Sequence, residues 1–167
     1  KPVKDSAGGL GIRLTANDPG ENCFLEEYIE GHKSIGLQFF IYDEVEFICA
    51  DEMLFDSNGS SSFTFWAQRN VQPNELPSKL IDDCLKLGEY LFFLGYNGLL
   101  GIDALVRDSE YYLLEINPRG IAFLPAYFAA SACGWTDFVT YMNKETLRQE
   151  EMILLDFGKT KKVVRKL

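Results

Sequence analysis

The chain is 167 residues long, 47% hydrophobic and 14% aromatic, with a formal net charge of −9. That is enough apolar material for one sizeable core, or for two small lobes sharing a cleft. No apolar run approaches the roughly 18 residues that cross a bilayer, and the acidic balance argues against nonspecific nucleic-acid binding. Residues 156–167 hold a net +4 and residues 1–155 a net −13, and the basic end reads as a solvated tail rather than a binding arm. Cys23, Cys49, Cys84 and Cys133 are widely spaced in apolar contexts, with no CxxC pair, and His32 is the only histidine. They read as reduced core thiols of a cytoplasmic protein, and no signal peptide is visible.

The first element is a glycine loop. "SAGGLG" places Gly8, Gly9 and Gly11 close together, flanked by Lys1 and Lys4. Glycines let a backbone approach phosphate and present its N–H groups. No GK[ST] follows, so this is not a Walker A loop, and no helix follows, so it is not a dinucleotide fingerprint. A phosphate loop normally follows a strand, and here the chain opens directly on "KPVKDS", so it reads as a piece of a longer protein. "NCFLEEYIEG" predicts a strand to Ile29, closed by Gly31. "SIGLQFFIYDEVEFICADEM" predicts two strands around a turn near Asp43-Glu44. Residues 55–74, rich in Ser, Asn and Gly with interleaved aromatics, predict a long loop. In it Ser60, Ser61, Ser62 and Trp66 are candidates for a lid, and Arg69 is the candidate to hold a phosphate or a substrate carboxylate.

"NELPSKLIDDCLKLGEYLFFLG" has helical apolar spacing, with Asn74 as N-cap and Gly95 as the stop. "GLLGIDALVR" and "EYYLLEINP" predict a hairpin around Asp108-Ser109. "AFLPAYFAASACG" and "WTDFVTYMN" predict two short helices, with Phe123 and Tyr127 in the core. The order is α+β with a mostly antiparallel sheet. Facing residues in a hairpin keep a constant sum. A two-residue loop places Asp103 opposite Leu114, and a three-residue loop, Asp108 to Glu110, places it opposite Glu115. The second register splits the faces cleanly: Ile102, Ala104, Val106, Tyr112, Leu114 and Ile116 on one, and Asp103, Glu115 and Asn117 on the other. Two opposed carboxylates repel unless a cation intervenes. With an amide oxygen they make a hard ligand set suited to Mg²⁺ on phosphate, and Arg119 supplies a fork for developing negative charge.

Taken in order, "KP…SAGGLGI", "FLEEYIEG" and "GIDALV…YYLLEINPRG" resemble the ATP-grasp superfamily, from Lys1 to about Met142, and "GWTDFVTYM" resembles its closing helix. The resemblance implies an ATP-grasp fold of two α+β lobes with antiparallel sheets gripping a nucleotide, without the preceding domain. Residues 1–30 would form a partial nucleotide lobe, 31–143 the lobe with the metal site, and 144–167 an extension. It implies that Lys1 contacts ATP phosphates and that Gly8, Gly9 and Gly11 form the flap. Glu26, Glu27, Tyr28 and Ile29 correspond to the hinge beside the nucleotide. Asp103, Glu115 and Asn117 correspond to ligands of Mg²⁺ (Mn²⁺ as the alternative), and Arg119 to the residue that steadies an acylphosphate. His32 and Lys33 stand where an acid often contacts ribose. The implied activity is an ATP-dependent ligase joining a carboxylate to an amine through an acylphosphate. A non-catalytic ATP-binding regulatory module is the competing reading. The implied partners are small-molecule substrates and the rest of a longer chain, with a homodimer as a further candidate and neither nucleic acid nor membrane.

Overall fold

In a computed structural model, residues 27–55, 65–142, 152–156 and 161–167 are described. They form strands β1 (Lys33–Ile41), β2 (Val45–Phe55), β3 (Phe65–Val71), β4 (Gly98–Arg107), β5 (Glu110–Asn117), β6 (Phe138–Met142), β7 (Met152–Asp156) and β8 (Lys161–Lys166). Two helices accompany them, α1 (Ser78–Phe93) and α2 (Leu124–Ala132). The strands make one sheet in the order β5-β4-β1-β2-β3-β6-β8-β7, with every described pair antiparallel. No described helix is long and apolar enough to cross a membrane.

The two faces of β1 have different tasks. Ile35, Leu37, Phe39 and Ile41 point to one side, where they pack with Leu80 and Cys84 of α1 and with Leu100, Ile102 and Ala104. This side is the main core. Gly88 lets α1 approach the sheet closely, since a Cβ there would lie 2.6 Å from Val45 Cγ1. The opposite face carries Gly36 and Gln38, and α2 covers part of it through a second cluster of Cys49, Phe123, Leu124, Ala126, Ala130, Phe138 and Val164. Phe123 and Phe138 stack at 5.4 Å between centroids. Phe123 is fully buried and Tyr127 packs against that cluster, as expected for core residues.

Helix α1 starts after Pro77, not at Asn74. Leu76 precedes that proline and is extended (φ −103°, ψ 151°), the conformation a following proline imposes. Asn74 instead lies in a 3₁₀ turn, Pro73–Glu75. The helix stops as expected at Gly95 (φ +91°). The Gly95 and Tyr96 amides return to Phe92 and Leu91 carbonyls at 2.8 and 3.0 Å, the pairing of a glycine-stopped helix end.

Other expectations are corrected. Residues 65–71, expected as loop, form β3 between β2 and β6, and Trp66 lies within it. Ser60, Ser61 and Ser62 lie outside the described residues. Residues 138–142, expected within a helix, form β6, where Phe, Val, Thr and Tyr suit a pleated surface with a partner on each side. The basic end is not a solvated tail: β8 lies between β6 and β7, and Lys162 is buried. Residues 27–29 belong to no strand. Cys49 and Cys84 are buried thiols, but Cys133 is exposed at the end of α2, and Cys23 lies outside the described residues.

Candidate functional site

The β4–β5 hairpin turns through two residues, Asp108-Ser109, because Arg107 pairs with Glu110. Asp108 takes a φ of +54°, as primed hairpin turns require at their first position. The expected three-residue loop is therefore absent. A bulge does its work instead: Ala104 pairs with Leu113 and Asp103 with Glu115, so Leu114 is the extra residue. Beyond the bulge, Ile102 faces Ile116 and Gly101 faces Asn117. Asp103 does oppose Glu115, by a different device. Nearer the turn the faces differ from the expected split. Tyr111 packs on the α1 core, while Tyr112 meets His32 edge-on at 5.5 Å. Tyr112, Leu114 and Ile116 are all exposed because β5 is the sheet edge.

One row of the α2 face carries three acids. Gly36 of β1 pairs with Asp51 of β2 on one side and Asp103 of β4 on the other. The row therefore reads Glu115, Asp103, Gly36, Asp51. Gly36 makes room for it, because a Cβ there would lie 2.7 Å from Asp51 Oδ1. Burial raises the Asp103 carboxyl to about 7, and a hydrogen bond with Glu115 and that residue's charge reinforce the rise. Burial likewise raises Asp51 to about 7, against the hydrogen bond from Gln68.

Asn117 bridges the opposed pair, its Nδ2 donating to Asp103 Oδ2 at 3.2 Å and to Glu115 Oε1 at 3.1 Å. The Arg119 amide donates to the Asn117 carbonyl at 2.7 Å, a three-residue turn about Pro118. Arg119 thus returns to the acids by a turn, not by continued strand alternation. Its guanidinium makes long bonds to Asn117 Oδ1 (3.5 Å) and the Gly120 carbonyl (3.3 Å). A hard divalent cation fits this set. It would neutralise the opposed carboxylates, and the Asn117 amide, turned over, would offer oxygen instead of N–H. Among the described residues no three His, Cys, Asp or Glu side chains converge as a metal cluster. The remaining ligands would have to be phosphate oxygens and water.

Arg69 does not reach this face. It pairs across the strands with Glu52, next to Asp51 and so on the α1 side. Its guanidinium is held by Glu52 at 3.1 Å and Glu75 at 3.0 Å. Of the hinge residues, Glu27 and Tyr28 are exposed and Ile29 is half-buried. Lys1, Gly8, Gly9, Gly11 and Glu26 lie outside the described residues. Among the buried polar side chains on the α2 face that sequence reasoning missed are Asp51, Gln38 and Lys162. An acid or amide at the middle of an apolar strand was the available signal, in "FICADEM" and "GLQFF".

A family model described as an ATP-grasp domain matches residues 1–122. Tyramine–L-glutamate ligase of Methanocaldococcus jannaschii is 23% identical over 99 residues, covering 59% of this chain and 30% of the relative. The Methanocaldococcus fervens ligase of the same name is 25% identical over 119 residues, covering 71% and 37%. The chain thus spans about a third of the length of these relatives. An ATP-grasp superfamily structure from Archaeoglobus fulgidus superposes with a TM-score of 0.56 at 18% identity, covering 84% of this chain and 47% of its own. The biotin carboxylase domain of a single-chain bacterial carboxylase superposes at 0.60 and 16%, covering 87% and 45%. At these identities the two structures show the fold.

Proposed function

Because the chain belongs to the ATP-grasp family, we propose that it is the ATP-binding part of an ATP-dependent ligase joining a carboxylate to an amine. The observation that supports this most is Asp103 opposed to Glu115 with Asn117 bridging both and Arg119 beside them. In this reading Asp103, Glu115 and Asn117 hold Mg²⁺, with Mn²⁺ as an alternative. A cation held there would neutralise phosphate oxygens of ATP. Lys1 and the Gly8, Gly9 and Gly11 flap hold those phosphates, and Glu26, Glu27, Tyr28 and Ile29 hold the nucleoside.

The substrate carboxylate oxygen attacks the γ-phosphorus and ADP departs. The amine then attacks the acyl carbon and inorganic phosphate leaves, its nitrogen losing a proton. Arg119 faces the charge that builds on the phosphoryl oxygens and then on the tetrahedral carbon. No enzyme nucleophile is required, since positioning and charge neutralisation supply the catalysis. The names of the two ligase relatives make L-glutamate and tyramine the first substrates to try.

The test uses the full-length protein. Mg-ATP is expected to raise its thermal midpoint, as any ligand selective for the folded state does, and ADP release is expected to depend on an added carboxylate. No thermal shift at millimolar Mg-ATP would overturn the reading. ATP binding without carboxylate-dependent ADP release across a broad acceptor screen would favour a regulatory module.

A further inference from the structure

The loop that follows Asn117 crosses the α2 face of the sheet and is held there at consecutive residues. The Ile121 amide donates to Gln38 Oε1 at 2.7 Å. Gln38 is itself fixed, its Nε2 donating to the Leu100 carbonyl at 2.8 Å and the Phe39 carbonyl at 3.1 Å. One residue later, the Lys162 ammonium donates to the Ala122 carbonyl. Gly101 sets how closely the loop lies, since a Cβ there would sit 2.5 Å from Ile121 Cγ2 and 3.4 Å from the Arg119 carbonyl oxygen.

We infer that Lys162 is a positioning residue for Arg119, acting through the Ile121–Ala122 backbone together with Gln38. This rests on the ligase reading of the acid site. Lys162 is buried and belongs to β8, beyond the 1–122 stretch that the family model matches. Burial lowers the Lys162 ammonium below its ordinary range, and the charge of Asp51 in the neighbouring acid row opposes that fall. Gln68 in turn holds Asp51, donating to its Oδ2 at 2.7 Å. The hydrogen bonds of the Arg119 guanidinium are long, at 3.3 and 3.5 Å, so its direction is inherited from the loop backbone. Lys162 fixes that backbone from the same face, on a strand towards the other end of the sheet. The C-terminal strands therefore complete the site from outside the stretch that carries its motifs.

Full-length Lys162→Met, Lys162→Arg, Arg119→Ala and the Lys162→Met/Arg119→Ala double variant test this. Two readouts are needed. The first is amide hydrogen exchange with Leu37 in β1 as internal reference. Lys162→Met is expected to lower Ile121 protection by about tenfold or more while Leu37 protection stays unchanged. Unchanged Ile121 protection would overturn the inference whatever the activity. The second is ADP release with Mg-ATP, L-glutamate and tyramine. Lys162→Met is expected to lower kcat by about tenfold to a hundredfold, the scale of a misplaced catalytic group, with KM for ATP within about twofold. Lys162→Arg is expected to recover most of it, and the double variant to be no slower than Arg119→Ala alone. Losses that multiply in the double variant would overturn the route through Arg119. A wild type that neither binds Mg-ATP nor releases ADP, yet shows the exchange result, would sink the ligase reading and leave the clamp standing.

Discussion

Asp103→Asn is expected to make the ligand-free protein more stable while abolishing its response to Mg-ATP. Asp103 titrates near 7 in the folded chain against an ordinary 3.8. A pKa difference of one between folded and unfolded chain is worth about 1.4 kcal/mol, so the ionised carboxylate costs the fold at most about 4 kcal/mol. Burial is the leading cause and the Glu115 carboxylate adds to it, and an expected gain of about 2 kcal/mol for the isosteric amide allows for the coupling between the two acids. The sign follows from linkage. Below pH 3.8 both states hold the proton, and nothing is lost. As pH rises towards 7 the unfolded chain has released it while the folded chain must keep it or bear an unfavourable charge, so stability falls through this window. Urea unfolding from pH 5 to 8 measures the effect. The variant should exceed the wild type by just under ~1 kcal/mol at pH 5 and by about 2 kcal/mol at pH 8, with unchanged m-values. Asp51 has the same sign and stays in place, so the variant keeps part of the slope. A variant less stable than wild type at pH 8, or parallel to it across the range, would refute the electrostatic account of the acid row.

Two further substitutions probe the framework. Gly101→Ala is expected to lift the 119–121 loop, costing about 1–3 kcal/mol in urea unfolding as overpacking does; an unchanged stability would mean that Ile121 moves aside freely. Arg69→Met is expected to cost about 1–2 kcal/mol, between the values for exposed and buried ion pairs. It should leave substrate KM in the ADP-release assay within about twofold, because Arg69 acts on the α1 face; a tenfold rise in a substrate KM would place it in the site after all.

The local sequence was most legible where one strand or one helix carried the signal. The Gly95 stop, the β1–β2 hairpin and the polar alternation of Glu115 and Asn117 are all local patterns. What escaped depended on distant partners. β3 and β6 look like loop and helix alone, but each has a strand on either side to complete its hydrogen bonds. The opposition of Asp103 and Glu115 emerges from a two-residue turn plus a bulge at Leu114. Counting along the chain finds the facing yet misassigns its cause, because loop length and bulge move the register by the same one residue. Asp51 joins the acid row only through Gly36, a neighbour on another strand. Lys162 was hidden by composition, since a run of basic residues gives no sign that one of them points inward from a strand paired on both sides.

Ile121 ties the acid row to the loop clamp. Its Cδ1 lies 3.5 Å from where a Gly36 Cβ would be, and its Cγ2 fills the place of a Gly101 Cβ. The two glycines thus vacate one space, beside Asp51 and Asp103, and an apolar side chain occupies it. Burial is the leading cause of both raised carboxyls, and Ile121 packs in the space beside them. Ile121→Ala should therefore have two opposed effects. It removes packing from a half-buried site, at a cost of about 1–3 kcal/mol. It also rehydrates the carboxylates, which favours the folded state only where they are ionised. The net loss should accordingly be larger at pH 5 than at pH 8, by about 1 kcal/mol. Urea unfolding at the two pH values checks it. Equal losses at both would show that the acids are desolvated by the sheet itself, and that the loop covers the site without tuning it.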